Sequence, residues 1–358
     1  MLVLICHTIP IISQNSHVAA FTNYMGLFGV EIFFVLSGFL IGLILIKTHQ
    51  QEQTTSINTV KIFWLRRWFR TLPNYYLVII AMEIIYYPSS RFFVFSLQHN
   101  FSYLFFVQNL FTEMPDRIFA VSWSLAIEEW FYFLFPIALL IVQYLIPNKQ
   151  KAMLTVIVVF IAVPFLSRTV VSLSNASISF DQGYRKMVPF RLDAIGIGVL
   201  AAYFNYYYKN AYQRLAERSL IVGLTLFAVT LLFVYLTGVI SFPYTAFIKQ
   251  TLFFSMISIS FALILPFFSE LKSLGNKVIE YPINFISLIS YSAYLIHQLI
   301  ILLVWIALTK LGYVKLSYLN FGLVWFFTIV VSYAQYRLFE RPITDLRDRF
   351  GKGKKVTV

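Results

Sequence analysis

The chain has 358 residues, 59% hydrophobic, 19% aromatic and 12% charged, with a mean hydropathy of +0.76. A soluble domain is nearer half apolar and a quarter charged, so this balance excludes an ordinary water-soluble fold and, equally, a disordered chain. The net charge of +13 comes from 28 Lys and Arg against 15 Asp and Glu. In so apolar a chain it points to basic loops beside a membrane rather than to a nucleic-acid partner.

Apolar runs long enough to cross a bilayer need about 20 residues. Taken in chain order they predict a short first span at 1–12, then spans at 27–46, 72–88, 126–146, 152–173, 191–208, 219–240, 246–268, 284–308 and 318–340. The apolar stretch 101–111 is too short to cross and is expected to lie re-entrant or interfacial. The expected fold is therefore all-α: a polytopic transmembrane helical bundle of about ten spans, with residues 1–340 as one domain and 341–358 as a basic cytoplasmic tail. Twelve helical residues rise only about 18 Å against a hydrocarbon core of about 30 Å, so the first span is expected to be truncated, with the natural protein beginning upstream.

With the N-terminus inside, 19 of the 28 basic residues fall on inner loops, inner helix ends or the tail, among them Lys47, Arg66, Arg67, Arg70, Lys272, Lys352, Lys354 and Lys355. That bias predicts an inner-membrane, multi-pass protein with both termini cytoplasmic. Cys6 is the single cysteine, which excludes an internal disulfide framework and a Cys-ligated metal cluster. Neither a metal site nor a permanently bound cofactor is expected.

Ionisable groups inside spans are costly and mark candidate function. His7 lies among Leu4, Ile5, Ile9 and Ile11, and His297 sits near the middle of 284–308. A neutral imidazole can act as a general base or carry an acyl group, or simply bond a neighbouring carbonyl. Glu31 enters the second span, and Glu128 and Glu129 open another after Ser122-Trp-Ser124. Acidic residues there also suit a helix dipole. Adjacent glutamates diverge by about 100° on a helix, so at most one of Glu128 and Glu129 is expected to face the interior. Arg191 and Asp193, at the start of a further span, are expected to form a local ion pair. Arg66, Arg67 and Arg70 stand at i,i+3 and i,i+4 spacings and can share a face that suits phosphate, or anchor the helix against anionic lipid. No phosphate-binding glycine loop, zinc-type His-Glu-x-x-His or nucleophile elbow is present.

Several segments in order resemble acyltransferase family 3. They are Val3-Leu-Ile-Cys-His7, then Gly26-Leu-Phe-Gly29 running on to Ser37-Gly38, and the Phe63-Trp-Leu-Arg66-Arg67-Trp-Phe-Arg70-Thr-Leu-Pro73 block. Ser122-Trp-Ser124 running through Glu128-Glu129 to Tyr132 follows, then Tyr294-Leu-Ile-His297 and Glu340-Arg341-Pro342. The resemblance implies a membrane O-acyltransferase moving an acyl group, usually acetyl, from acyl-CoA to a hydroxyl of a sugar in an envelope or exported glycan or glycolipid. It gives weight to His7 and to Arg67 and Arg70, and points to Ser37-Gly38 and Glu128 as parts of the site. On that basis His7 is expected as base or acyl carrier, with Glu128 or Glu31 orienting it, and Arg66, Arg67 and Arg70 are expected to hold the CoA phosphates beside Ser37 and Gly38. The family also carries a first-helix arginine about a dozen residues before the histidine, a position that precedes Met1. Some members append an extracytoplasmic hydrolase-like domain; a separate transferase chain is the corresponding partner expected here.

Two rival classes share the composition. A transporter or flippase for a sugar-linked lipid would use the buried histidines and carboxylates as a proton relay. A structural membrane subunit would leave them unexplained.

Overall fold

The computed structural model describes all residues except 14, 52–55, 87–96, 116–118, 175–176, 240–244, 272, 274, 314–317 and 351–358. Lys272 and the tail residues Lys352, Lys354 and Lys355 lie outside the described residues. Within them the chain is helical and no strand occurs, as expected where lipid leaves backbone polar groups no water to bond.

The helices are α1 (Leu2–Thr8), α2 (Ser16–Gln51), α3 (Ile57–Tyr86), α4 (Leu97–Leu104), α5 (Ser122–Leu145), α6 (Lys149–Leu173) and α7 (Leu192–Tyr207). They continue as α8 (Lys209–Arg214), α9 (Ala216–Val239), α10 (Thr245–Glu270), α11 (Lys277–Lys310), α12 (Tyr318–Gln335) and α13 (Arg341–Phe350). Seven of the described helices are long and apolar enough to cross a membrane, against the ten spans expected: α2, α5, α6, α9, α10, α11, and α12 with its continuation. The other three places are also helical but fail on different grounds. α1 is short, α3 carries Lys61, Arg66, Arg67 and Arg70 through its first half, and α7 has only 16 residues. The chain is thus an all-α polytopic membrane bundle with α7 enclosed near its centre. Residues Asp193–Val199 and Ala201–Tyr203 of α7 are all buried, which fits a helix apolar on every face.

What draws α7 in is a run of small residues. A Cβ on Gly38 of α2 would run into the Ile195 carbonyl oxygen, and one on Gly198 of α7 would run into the Val35 carbonyl. One turn on, a Cβ at Gly42 would sit 2.8 Å from the Cβ of Ala202. Without a hydrophobic drive between helices in lipid, such close backbone approach is what dispersion and packing can use.

The stretch 101–111 does not cross. After α4 the backbone turns at Phe106, a non-glycine residue at φ 58°, and tucks under the start of α5. Gln108 donates to the Ser122 hydroxyl at 3.2 Å, Asn109 to the Trp123 carbonyl at 3.1 Å, and Trp130 to the Phe106 carbonyl at 2.9 Å. These bonds fix the helix end from which the glutamates project.

Candidate active site

α5 is enclosed on all sides over its first two turns: every residue from Ser122 to Glu129 is buried. Both glutamates therefore point into protein, and the expectation that only one faces inward is corrected. The divergence of their side chains is real, but each meets a different neighbour. Glu129 accepts a hydrogen bond from Thr71 of α3 at 2.7 Å. Glu128 accepts from the hydroxyls of Ser37 on α2 and Tyr132 one turn on in α5. Arg67 donates to the Tyr132 hydroxyl oxygen at 2.8 Å and lies over its ring, the guanidinium carbon 4.5 Å from the centroid. A cation and a carboxylate are thereby joined inside the bundle through one phenol, so neither charge is left uncompensated.

The three arginines differ in their surroundings. Arg67 turns inward to Tyr132, Arg66 is half-buried and Arg70 is exposed. Gly38 lies in the α2–α7 contact, whereas its neighbour Ser37 joins the Glu128 cluster.

Further up the same bundle, His7 and His297 meet across 290 positions of sequence. Nδ1 of His7 lies 2.8 Å from Nε2 of His297, with the ring planes within 12° of each other. Nδ1 of His297 faces the Ala293 carbonyl at 3.1 Å, a contact only an N–H can satisfy. With both rings neutral the tautomers then follow in sequence. His297 donates from Nδ1, its Nε2 must accept, His7 donates from Nδ1, and Nε2 of His7 is left as a lone-pair nitrogen. His297 is 1% exposed; His7 is only partly buried and lines a cavity of about 600 Å³. The α1 turn carrying His7 is held by Trp325 of α12, whose indole N–H donates to the Thr8 hydroxyl at 3.1 Å.

Tyr294 joins the two clusters. Its hydroxyl lies 2.6 Å from the Ser124 hydroxyl, and its ring centroid is 6.1 Å from that of His297. Ser124, Glu128 and Tyr132 follow at i, i+4 and i+8 on α5, covering about 12 Å along the helix. A polar column thus runs from Arg67 through Tyr132, Ser37, Glu128, Ser124 and Tyr294 to His297 and His7. Tyr132 and Tyr294 were not singled out by chemistry in the sequence. The available signal was spacing, since Tyr132 stands one turn from Glu128 and Tyr294 three residues from His297.

Glu31 is not in this column. It pairs with Arg191, while Asp193 pairs with Arg168 at 2.7 Å, and all four side chains are at most 1% exposed. The expected local pair of Arg191 with Asp193 is replaced by two pairs between helices, because α2, α6 and α10 surround the start of α7. Ser255 donates to Asp193 at 2.9 Å and Ser258 to Glu31 at 3.1 Å. A second network not foreseen joins Glu340 to Asn74 at 2.8 Å and to Ser292 at 2.6 Å. Among the described residues no group of three or more His, Cys, Asp and Glu is placed to hold a metal ion.

Known proteins resemble parts of this chain. Peptidoglycan O-acetyltransferase OatA of Listeria monocytogenes is 33% identical over 152 residues, 37% of this chain and 22% of that protein. The putative peptidoglycan O-acetyltransferase YrhL of Bacillus subtilis is 31% identical over 146 residues, 35% of this chain and 21% of that protein. A putative O-acetyltransferase of Staphylococcus aureus is 31% identical over 138 residues, 35% of this chain and 22% of that protein. The match spans about a fifth of the length of these curated relatives. No solved structure matches the chain. The family-wide pattern reaches much further than these three relatives: the acyltransferase domain of acyltransferase family 3 matches residues 1–337, and the chain belongs to that family.

Proposed function

We propose that the chain is an inner-membrane O-acetyltransferase, with both termini cytoplasmic, that moves an acetyl group from acyl-CoA to a hydroxyl of a cell-wall glycan. The observation that carries this reading is the hydrogen-bond order Ala293–His297–His7, which leaves a basic nitrogen on a residue lining a cavity. The names of the similar proteins support an O-acetyl transfer and a peptidoglycan acceptor. The positive inner face, with Arg70 exposed, supports a donor that carries phosphate and enters from that side.

In this scheme Nε2 of His7 takes the proton of the acceptor hydroxyl as its oxygen attacks the thioester carbonyl. The C–O bond forms, the C–S bond breaks, and the departing thiolate receives the proton from the imidazolium. His297 holds His7 in the competent tautomer. The Arg67–Tyr132–Glu128–Ser37 cluster fixes α2, α3 and α5 around the path between donor and acceptor.

Purified protein in lipid vesicles, given acetyl-CoA and a soluble wall-glycan fragment, is expected to release free thiol and acetylate the fragment, and His7→Ala is expected to abolish both. Unchanged turnover in His7→Ala overturns the role of the histidine. Translocation of a sugar-linked lipid without thioester cleavage overturns the enzyme and favours the transporter.

A further inference from the structure

The cavity beside His7 has a composition that the acetyl transfer does not by itself require. Besides His7, the described residues that line it are Cys6, Asn23, Gln298, Trp305 and Asn320 among aliphatic residues, with no Lys, Arg, Asp or Glu among them. At about 600 Å³ it lies within the range of about 300–1,000 Å³ usual for small-molecule sites. The phosphates of a nucleotide donor need cations, and none is among the described lining residues; Arg185 and Lys186, whose charge reaches His7, lie outside that lining and pair with Asp181. Amide side chains and a flat aromatic are instead what a neutral sugar uses: amides exchange hydrogen bonds with hydroxyls, and an indole covers the apolar face of a pyranose.

The lining also has order. Gln298, Ile301, Leu302 and Trp305 recur at i, i+3, i+4 and i+7 and so share one stripe of α11, next to His297 on the same helix. Trp305 is 60% exposed, at the outer end of that stripe. The Gln298 side-chain carbonyl oxygen is buried and has no hydrogen-bond partner. An unmet buried acceptor is destabilising, and turning the amide toward the cavity lets a ligand hydroxyl satisfy it. Cys6 donates to the side-chain amide oxygen of Asn23 at 3.7 Å, so the thiol belongs to the same wall.

We propose that this cavity is the acceptor subsite and takes a neutral sugar residue, with the Gln298 amide reading a hydroxyl next to the one that is acylated and Trp305 stacking on the ring. The proposal rests on the acetyltransferase reading above. It places donor and acceptor on opposite sides of the column from Arg67 to His7, so that the two bind without competing.

The test uses the full chain in lipid vesicles with acetyl-CoA and a soluble peptidoglycan disaccharide. Gln298→Leu, close to Gln in volume, is expected to raise KM for the disaccharide about tenfold, the loss of one hydrogen bond, while KM for acetyl-CoA stays within about twofold. Trp305→Ala, exposed and tolerant of truncation, is expected to act in the same direction. In the unmodified protein the disaccharide is expected to slow maleimide alkylation of Cys6, and acetyl-CoA is not. Protection of Cys6 by acetyl-CoA and not by disaccharide makes this the donor site and overturns the proposal, as does an unchanged disaccharide KM in both variants. Protection by disaccharide in a protein that releases no thiol from acetyl-CoA supports the subsite while the acetyltransferase reading fails.

Discussion

Two buried polar regions lie within a few helical turns of each other and are finished in opposite ways. Around the start of α7, two arginines and two carboxylates are sealed from solvent and pair by charge, Arg191 with Glu31 and Arg168 with Asp193, although Arg191 Nε and Nη1 and Asp193 Oδ1 make no hydrogen bond. Even the guanidinium face of Arg191 is covered, by the Phe254 ring 4.0 Å away. Along α5 and α11 the polar groups form an open-ended line, and its last member, His7, lines a cavity. Charges paired among themselves hold helices; a polar chain that ends with a spare lone pair can act on something else. Burial alone does not separate the two, since His297 and Arg168 are both about fully enclosed.

Substitutions at five positions break or sharpen this contrast. The largest loss of activity is expected for His7→Ala, about 10²–10⁴-fold in transfer, the usual contribution of a positioned general base. Its melting temperature in detergent is expected to match the parent's, which separates chemistry from folding. Arg168→Met is expected to do the reverse. It leaves the Asp193 carboxylate buried and unpaired, at a cost of about 3–5 kcal/mol in stability. Adding Asp193→Leu is expected to restore most of that loss in a thermal melt, because an apolar pair can replace a buried ionic one. A double variant as unstable as the single would show that the pair specifies the fold and does more than compensate charge.

His297→Ala removes the acceptor that sets the His7 tautomer. We expect kcat to fall about 10–100-fold with KM for the glycan unchanged, and His297→Gln, which returns an acceptor oxygen, to recover part of it. Equal losses in both variants would mean that His297 itself touches substrate. The smallest effect is expected at the surface turn Phe180–Tyr184. Burial by itself would raise the Asp181 carboxyl, yet Arg185 and Lys186 beside it hold it below the usual carboxylate range. The stabilisation this gives is present above the ordinary Asp value of about 4 and is lost as pH falls through the lower folded value. The Asp181 side chain is half exposed, so Asp181→Asn is expected to cost less than about 1 kcal/mol at pH 7 and nothing once the parent's Asp181 is itself protonated. Melts at the two pH values check it.

Which polar groups the bundle buries could largely be read in advance, because the membrane makes polar residues conspicuous. His7, His297, Glu31, Glu128 and Arg67 stood out against apolar neighbours, and each lies in a buried polar network. What was misjudged was direction. Arg191 was matched with Asp193 because they are near in sequence, yet each found its partner on another helix. Glu128 and Glu129 were treated as a choice between inside and outside, and α5 has no outside at that level. Among the described residues seven helices are long and apolar enough to cross by themselves, while α3 and α7, also expected as spans, fall short on charge or on length.

Composition and periodicity by themselves determined that this chain is helical, that it belongs in a membrane, and which few ionisable groups it carries there, because hydrocarbon forces the backbone into helices and penalises every charge. Only the tertiary structure decided what those groups do. Whether a histidine ends a proton chain or an arginine closes an ion pair depends on the azimuth and depth at which helices far apart in sequence meet. That is set by contacts such as Gly38 against Gly198, where the absence of two side chains lets α2 and α7 touch and fixes what lies around them.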